Sequence, residues 1–162
     1  MNRRTPWAVF ALRLAVGGLL AVAGALKAHD GGARTATTIA GYRLLPAPLD
    51  FPLGVALPYL EIFLGLYLIV GLFTRGVAWI ATAQFLVFAT AVASLLLRHI
   101  AGDCGCFGSV LATPPSWWHV AGDLALASAT AFIALHAPGS VAFDRRLEAS
   151  GPPETSGELE TT

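Results

Sequence analysis

Four apolar runs divide the chain: residues 7–26, 53–73, 77–97 and 117–135. Each holds about 20 residues, the length a helix rising about 1.5 Å per residue needs to cross the hydrocarbon core of a bilayer. None alternates apolar and polar positions as a half-exposed strand would, and all are rich in Ala, Leu and Gly. Helices are the economical way to satisfy every backbone group in lipid. The pattern therefore predicts an all-α integral membrane four-helix bundle over residues 1–137. Thr74-Arg75-Gly76 reads as a tight link between the second and third spans, residues 27–52 as a long first loop with Pro-Ala-Pro at 46–48, and residues 98–116 as a third loop. From about Pro138 the composition turns to Ser, Gly, Pro and Glu, so residues 138–162 read as a disordered polar tail.

Composition strengthens the membrane reading. The 162 residues carry 10 basic and 10 acidic side chains, for a net charge of zero and a charged fraction of 12%. Hydrophobic residues make up 56%, and the mean hydropathy is +0.67. Too little polar residue is present to cover a water-exposed surface, which excludes an ordinary soluble enzyme. With no excess of positive charge, nucleic acid is not an expected partner. Four spans put both termini on one side, with Arg3, Arg4, Arg75, Arg145 and Arg146 there against Lys27, Arg34, Arg43 and Arg98 opposite. Because Arg3 and Arg4 flank the first span directly, the positive-inside rule predicts cytoplasmic termini and a third loop outside. Asn2-Arg3-Arg4 and Ala23-Gly24-Ala25 imitate a cleavable signal. The apolar run between them is too long for one and contains Arg13, so an uncleaved first helix is expected.

Charges inside spans cost about 2.5–3.5 kcal/mol each at the helix centre, so each asks for a partner or a task. Arg13, Glu61, Asp123 and the flanking Lys27 are such charges, with Gln84 and His119 as weaker polar cases. At 100° per residue Arg13, Gly17, Leu20, Gly24 and Lys27 share one stripe of the first helix, and His119, Asp123, Leu126 and Thr130 share one face of the fourth. Both faces are expected to meet protein. By helical rise, Lys27, Glu61 and Asp123 fall in the half of the bundle nearest the third loop, whereas Arg13 and Gln84 lie toward the other surface. Two readings stand: ion pairs of Lys27 with Glu61 or Asp123 that fix helix register, or proton handling by Glu61, Asp123 or His119 during redox change.

The two cysteines occur in Asp103-Cys104-Gly105-Cys106-Phe107-Gly108. On an oxidising side of a membrane, thiols at this spacing can form a small, strained and readily reduced disulfide. Such a ring closes almost no chain, which argues against a stabilising staple. Three readings stay open: a redox dithiol, a partial metal site, and two unremarkable thiols. Two sulfurs supply only half of a structural zinc shell, so no metal is expected. Arg98 and His99 would lower a thiol pKa if they folded back over the loop, and Asp103 would oppose them.

Three segments together resemble the MauE family, the methylamine-utilisation membrane proteins within the broader DoxX-like group. They are Gly24-Ala25-Leu26-Lys27, the stretch Pro58-Tyr59-Leu60-Glu61-Ile62-Phe63-Leu64-Gly65 running to Gly71-Leu72-Phe73-Thr74-Arg75, and the CGCFG loop at 104–108. The resemblance covers roughly residues 8–136. It implies a four-helix inner-membrane protein associated with thiol redox and methylamine metabolism, working beside a thioredoxin-like protein on a disulfide-rich exported client. A looser similarity is to vitamin K epoxide reductase relatives, which pass electrons from thiols to quinone. The chain departs from those in lacking a CxxC within a span and a second cysteine pair.

The expected function is thus a membrane thiol-redox accessory using Cys104 and Cys106, with enzyme status as a thiol-disulfide oxidoreductase left open. Rivals are a non-enzymatic membrane assembly subunit, a small-solute transporter using Lys27, Glu61 and Asp123, and a quinone-linked thiol oxidoreductase. A quinone cofactor would be expected among Tyr59, Phe63, Trp117 and Trp118, unless those aromatics form an interfacial belt. Nothing in the sequence sets the oligomeric state.

Overall fold

In a computed structural model of the chain, which describes residues 5–106, 108 and 113–137, five helices follow one another. They are α1 (Thr5–Asp30), α2 (Gly32–Tyr42), α3 (Ala47–Val70), α4 (Thr74–Leu97) and α5 (Trp117–His136). All but α2 are long and apolar enough to cross a membrane. The residues read as a disordered tail lie outside the described ones.

Three boundaries differ from the apolar runs. The first helix continues through Lys27 to Asp30. The third begins at Ala47, not at 53, because Pro48 occupies the first turn, where an amide proton has no intrahelical partner and a fixed φ favours the helix. The link between α3 and α4 is formed by Gly71, Leu72 and Phe73, and Thr74, Arg75 and Gly76 already belong to α4. Gly71 takes a left-handed φ of 78° that ends α3, and its N–H, like that of Leu72, donates to the Tyr67 carbonyl at 2.8 and 3.1 Å.

The largest departure is α2, which occupies a stretch read as loop. It lies along α3, with Ala36 against Gly54 and Gly32 against Val55.

The spans associate as two antiparallel pairs, α1 with α3 and α4 with α5, joined chiefly through α1 and α5. The first pair is held by small residues. A Cβ at Gly17 would stand 2.8 Å from the Gly65 carbonyl oxygen, and one at Gly24 would meet Pro58 and Glu61. These backbones therefore approach as closely as the missing side chains allow. All five residues of the predicted α1 stripe are buried. Arg13, at 0% exposure, donates to the carbonyls of Leu68 at 2.9 Å and Ile69 at 3.3 Å. The last carbonyls of a helix lack intrahelical donors and carry its negative dipole end, so a guanidinium there meets both needs. Within the second pair, Thr82 on α4 donates to Thr130 on α5 at 2.9 Å.

Val16, Leu20, Leu64, Leu68, Phe85 and Ile133 belong to the apolar core. Toward the cysteine loop that core gives way to polar groups. There α3 and α4, consecutive in the chain, touch little, and a gap remains between them.

Candidate functional site

The cysteine loop closes one end of the bundle. The Cys104 N–H donates to the Thr113 carbonyl at 3.0 Å, and the Cys104 carbonyl accepts the Tyr42 hydroxyl at 2.7 Å. Arg98 in turn donates to the Tyr42 carbonyl at 2.9 Å. The loop is thus tied to α2, which the sequence reading missed together with Tyr42. Its signal was the 35, 38, 39, 42 spacing, helical in period but carried by two threonines. Burial pushes the Tyr42 hydroxyl well above its usual range, which keeps it a donor. Gly105, with φ of +70° and Thr38 close by, supplies the left-handed turn between the cysteines.

Both thiols are free, and their Sγ atoms stand 2.6 Å apart. Cys104 is buried and Cys106 is half-buried. Hydrogen bonding with Cys106 draws the Cys104 thiol down from its ordinary value, against the opposing effects of burial and the Asp123 charge, and Lys27 adds the smallest pull downward. The same hydrogen bond and burial push Cys106 up. The pair is therefore polarised: Cys104 is the more acidic thiol and Cys106 the less acidic one. The positive charge that assists is Lys27, not Arg98 or His99, because Arg98 is spent on the Tyr42 carbonyl and His99 is exposed.

Beneath the loop Lys27 Nζ bonds Glu61 Oε1 at 2.6 Å, with side chains only 3% and 1% exposed. Of the two ion pairs allowed by the sequence, the one with Glu61 forms. Gln84 Nε2 donates to the same oxygen at 3.3 Å, and the Lys27 ammonium lies 5.2 Å from the Phe88 ring centre. Gln84 thus joins the cluster rather than sitting apart near the other surface. Among the described residues Glu61 Oε2 and Asp123 Oδ2 are buried without a hydrogen-bond donor. Both nitrogens of His119 are engaged, Nδ1 with Ser116 at 2.8 Å and Nε2 with Thr113 at 3.1 Å. This fastens the start of α5 to the loop.

Two cavities adjoin Cys106. The larger, about 350 Å³, lies among α2, α3 and α4; both cysteines and Lys27 line it, with Leu57, Phe88 and Ala91 among its apolar walls. The smaller, about 190 Å³, is lined by Cys106, Glu61, His119 and Asp123. The structure thus brings all six candidate residues around one centre. It does not place the aromatics there: Tyr59, Phe63 and Trp117 are 54–59% exposed and line neither cavity, and Trp118, at 86%, reaches only the smaller one. They sit on the outer face of the bundle, as interfacial side chains do.

Residues 5–137 match the family model described as methylamine utilisation protein MauE. The methylamine utilization protein MauE of Paracoccus denitrificans is 33% identical over 137 residues, which cover 84% of this chain and 73% of that protein. No solved structure matches the chain. With four apolar helices of spanning length and a family match that runs through all of them, the chain is a membrane protein belonging to the methylamine utilisation protein MauE family.

Proposed function

We propose that this chain is a membrane thiol-redox accessory whose Cys104/Cys106 pair exchanges disulfides with a thioredoxin-like partner or exported client, as in methylamine dehydrogenase maturation or a related process. In this reading the termini are cytoplasmic and the cysteine loop faces the extracytoplasmic side. The observation that carries it is the polarised thiol pair, with sulfurs 2.6 Å apart, Cys104 drawn down and Cys106 pushed up.

That asymmetry favours oxidation of the client. Starting from the oxidised pair, a client thiolate attacks Cys106, the less buried residue, and Cys104 departs as the stabilised thiolate, the better leaving group. A second client thiolate then attacks the client sulfur of the mixed disulfide and releases Cys106. The client gains one disulfide, the pair becomes a dithiol, and two electrons and two protons have moved.

The test uses single variants in intact cells. In Cys104→Ser, Cys106 can still exchange with a disulfide of the client or partner, and with no second thiol to resolve it the reductant-sensitive mixed disulfide should accumulate. Cys106→Ser should accumulate none. A membrane-impermeant maleimide should label the wild-type pair after reduction and not before. Equal trapping by both variants, or by neither, would refute the assigned order, and a process that survives replacement of both cysteines would point to the assembly role.

A further inference from the structure

A dithiol formed at each turnover must be reoxidised, and the larger cavity suggests by what. Its volume of about 350 Å³ falls within the range of small-ligand sites. Its lining is mostly apolar, with Ile39, Leu57, Phe88 and Ala91 among its walls, and both cysteines line it. The rim residues Leu44, Leu45, Leu53 and Val87 are 41–62% exposed, so the cavity gives onto the apolar flank of the bundle rather than onto a polar surface. The Lys27 ammonium, 2% exposed, is the charged group in the lining. It donates to Glu61 and has three N–H groups in all, so it can also donate to a carbonyl oxygen in the cavity.

A ligand that arrives through lipid, fills an apolar space, presents a carbonyl to an ammonium and takes two electrons with two protons is a quinone. We propose that this cavity binds a lipid-soluble quinone, which reoxidises the Cys104/Cys106 dithiol. The inference rests on the thiol-redox reading and names the electron acceptor of the same site. In the step, the two S–H bonds break and one S–S bond forms. The two electrons and two protons pass to the quinone, whose two carbonyls become hydroxyls, so one disulfide and one hydroquinone appear per chain. The site lies inside the bundle between α2 and α4, not among the outward-facing Tyr59, Phe63 and Trp117.

The experiment is a single turnover of the full chain purified in detergent. The protein is reduced chemically, freed of reductant and mixed with decylubiquinone, and hydroquinone and remaining thiols are both counted. Wild type should form one hydroquinone as it loses two thiols, and the double variant C104S/C106S none. Ala91→Phe from α4 and Thr35→Phe from α2 fill the space from opposite sides, and each should slow the reaction at least tenfold. Both should still accept electrons from a reduced dithiol protein once oxidised by diamide. An azidoquinone should label the cavity walls in C104S/C106S, where no turnover occurs, and fail to do so when Ala91→Phe is added. Wild type that exchanges disulfides yet reduces no quinone, or filled variants that reduce it at the wild-type rate, would overturn the quinone site and leave the exchange reading standing. Loss of disulfide exchange in wild type itself would remove the reading beneath it.

Discussion

Replacing Lys27 by Met, Glu61 by Gln, and then Lys27 by Met with Glu61 by Leu gives a direct measure of what the buried pair contributes. The nitrogen and oxygen are 2.6 Å apart and the side chains 3% and 1% exposed, so neither partner can turn to solvent when the other is removed. Breaking such a pair costs about 3–5 kcal/mol, because the cost is an uncompensated buried charge rather than a lost attraction. At about 1.4 kcal/mol per tenfold, each single variant should raise the unfolding equilibrium constant by about two to three and a half decades. Gln84 softens the Lys27→Met case, since its amide still donates to Glu61 Oε1. The apolar double variant should recover most of the loss, being neutral or even stabilising for buried pairs of this kind. The measurement is reversible unfolding in mixed micelles followed by circular dichroism, analysed as a double-mutant cycle. Single losses below about 1 kcal/mol that add in the double variant would show that water screens the pair, and the buried-cluster argument would fail.

Other outcomes follow from separate features. Gly17→Leu and Gly65→Leu should each destabilise the fold by about 1–3 kcal/mol in the same assay, since both face a backbone oxygen at close range, whereas Gly18→Ala, which meets nothing within 4 Å, should be silent. The rate of Cys104 alkylation in a Cys106→Ala background should show a midpoint at higher pH than in wild type. The lost hydrogen bond is what holds Cys104 down, and the thiolate fraction grows with pH, so a lowered midpoint means reactivity at lower pH. Tyr42→Phe removes the 2.7 Å bond to the Cys104 carbonyl and should speed alkylation of that thiol about fivefold, the equivalent of about 1 kcal/mol of loop order, with bundle stability unchanged. An unchanged alkylation rate would mean that the loop is held without α2.

The sequence shows the spans clearly because apolar length is a strong signal, and their charged residues are legible because charge there is costly. It locates Lys27, Glu61 and Asp123 near the thiols through helical rise alone. The ends of the helices were harder. Leu72 and Phe73 continue an apolar run, so Gly71 as a left-handed stop was hidden, and Pro48 resembled a loop although it suits a first turn. α2 escaped because Thr, Ala and Gly dominate it and its partner is α3, not lipid. The cavity was least legible of all. It exists because α3 and α4 separate and α2 bridges above them, and no single residue announces such a gap.

The tie between α1 and α3 also orders the birth of the protein. Arg13 waits for carbonyls 55 and 56 residues further along the chain, and Lys27 for a carboxylate 34 residues on. While the ribosome makes that intervening stretch, the first helix carries two cations whose partners have not been synthesised. It is hydrophobic enough to enter the membrane, yet its charged stripe is poorly suited to bare lipid. The two cations of α1 thus find these partners only once α3 has been made, so the pairing of α1 with α3 is what makes the charged stripe tolerable within a bilayer.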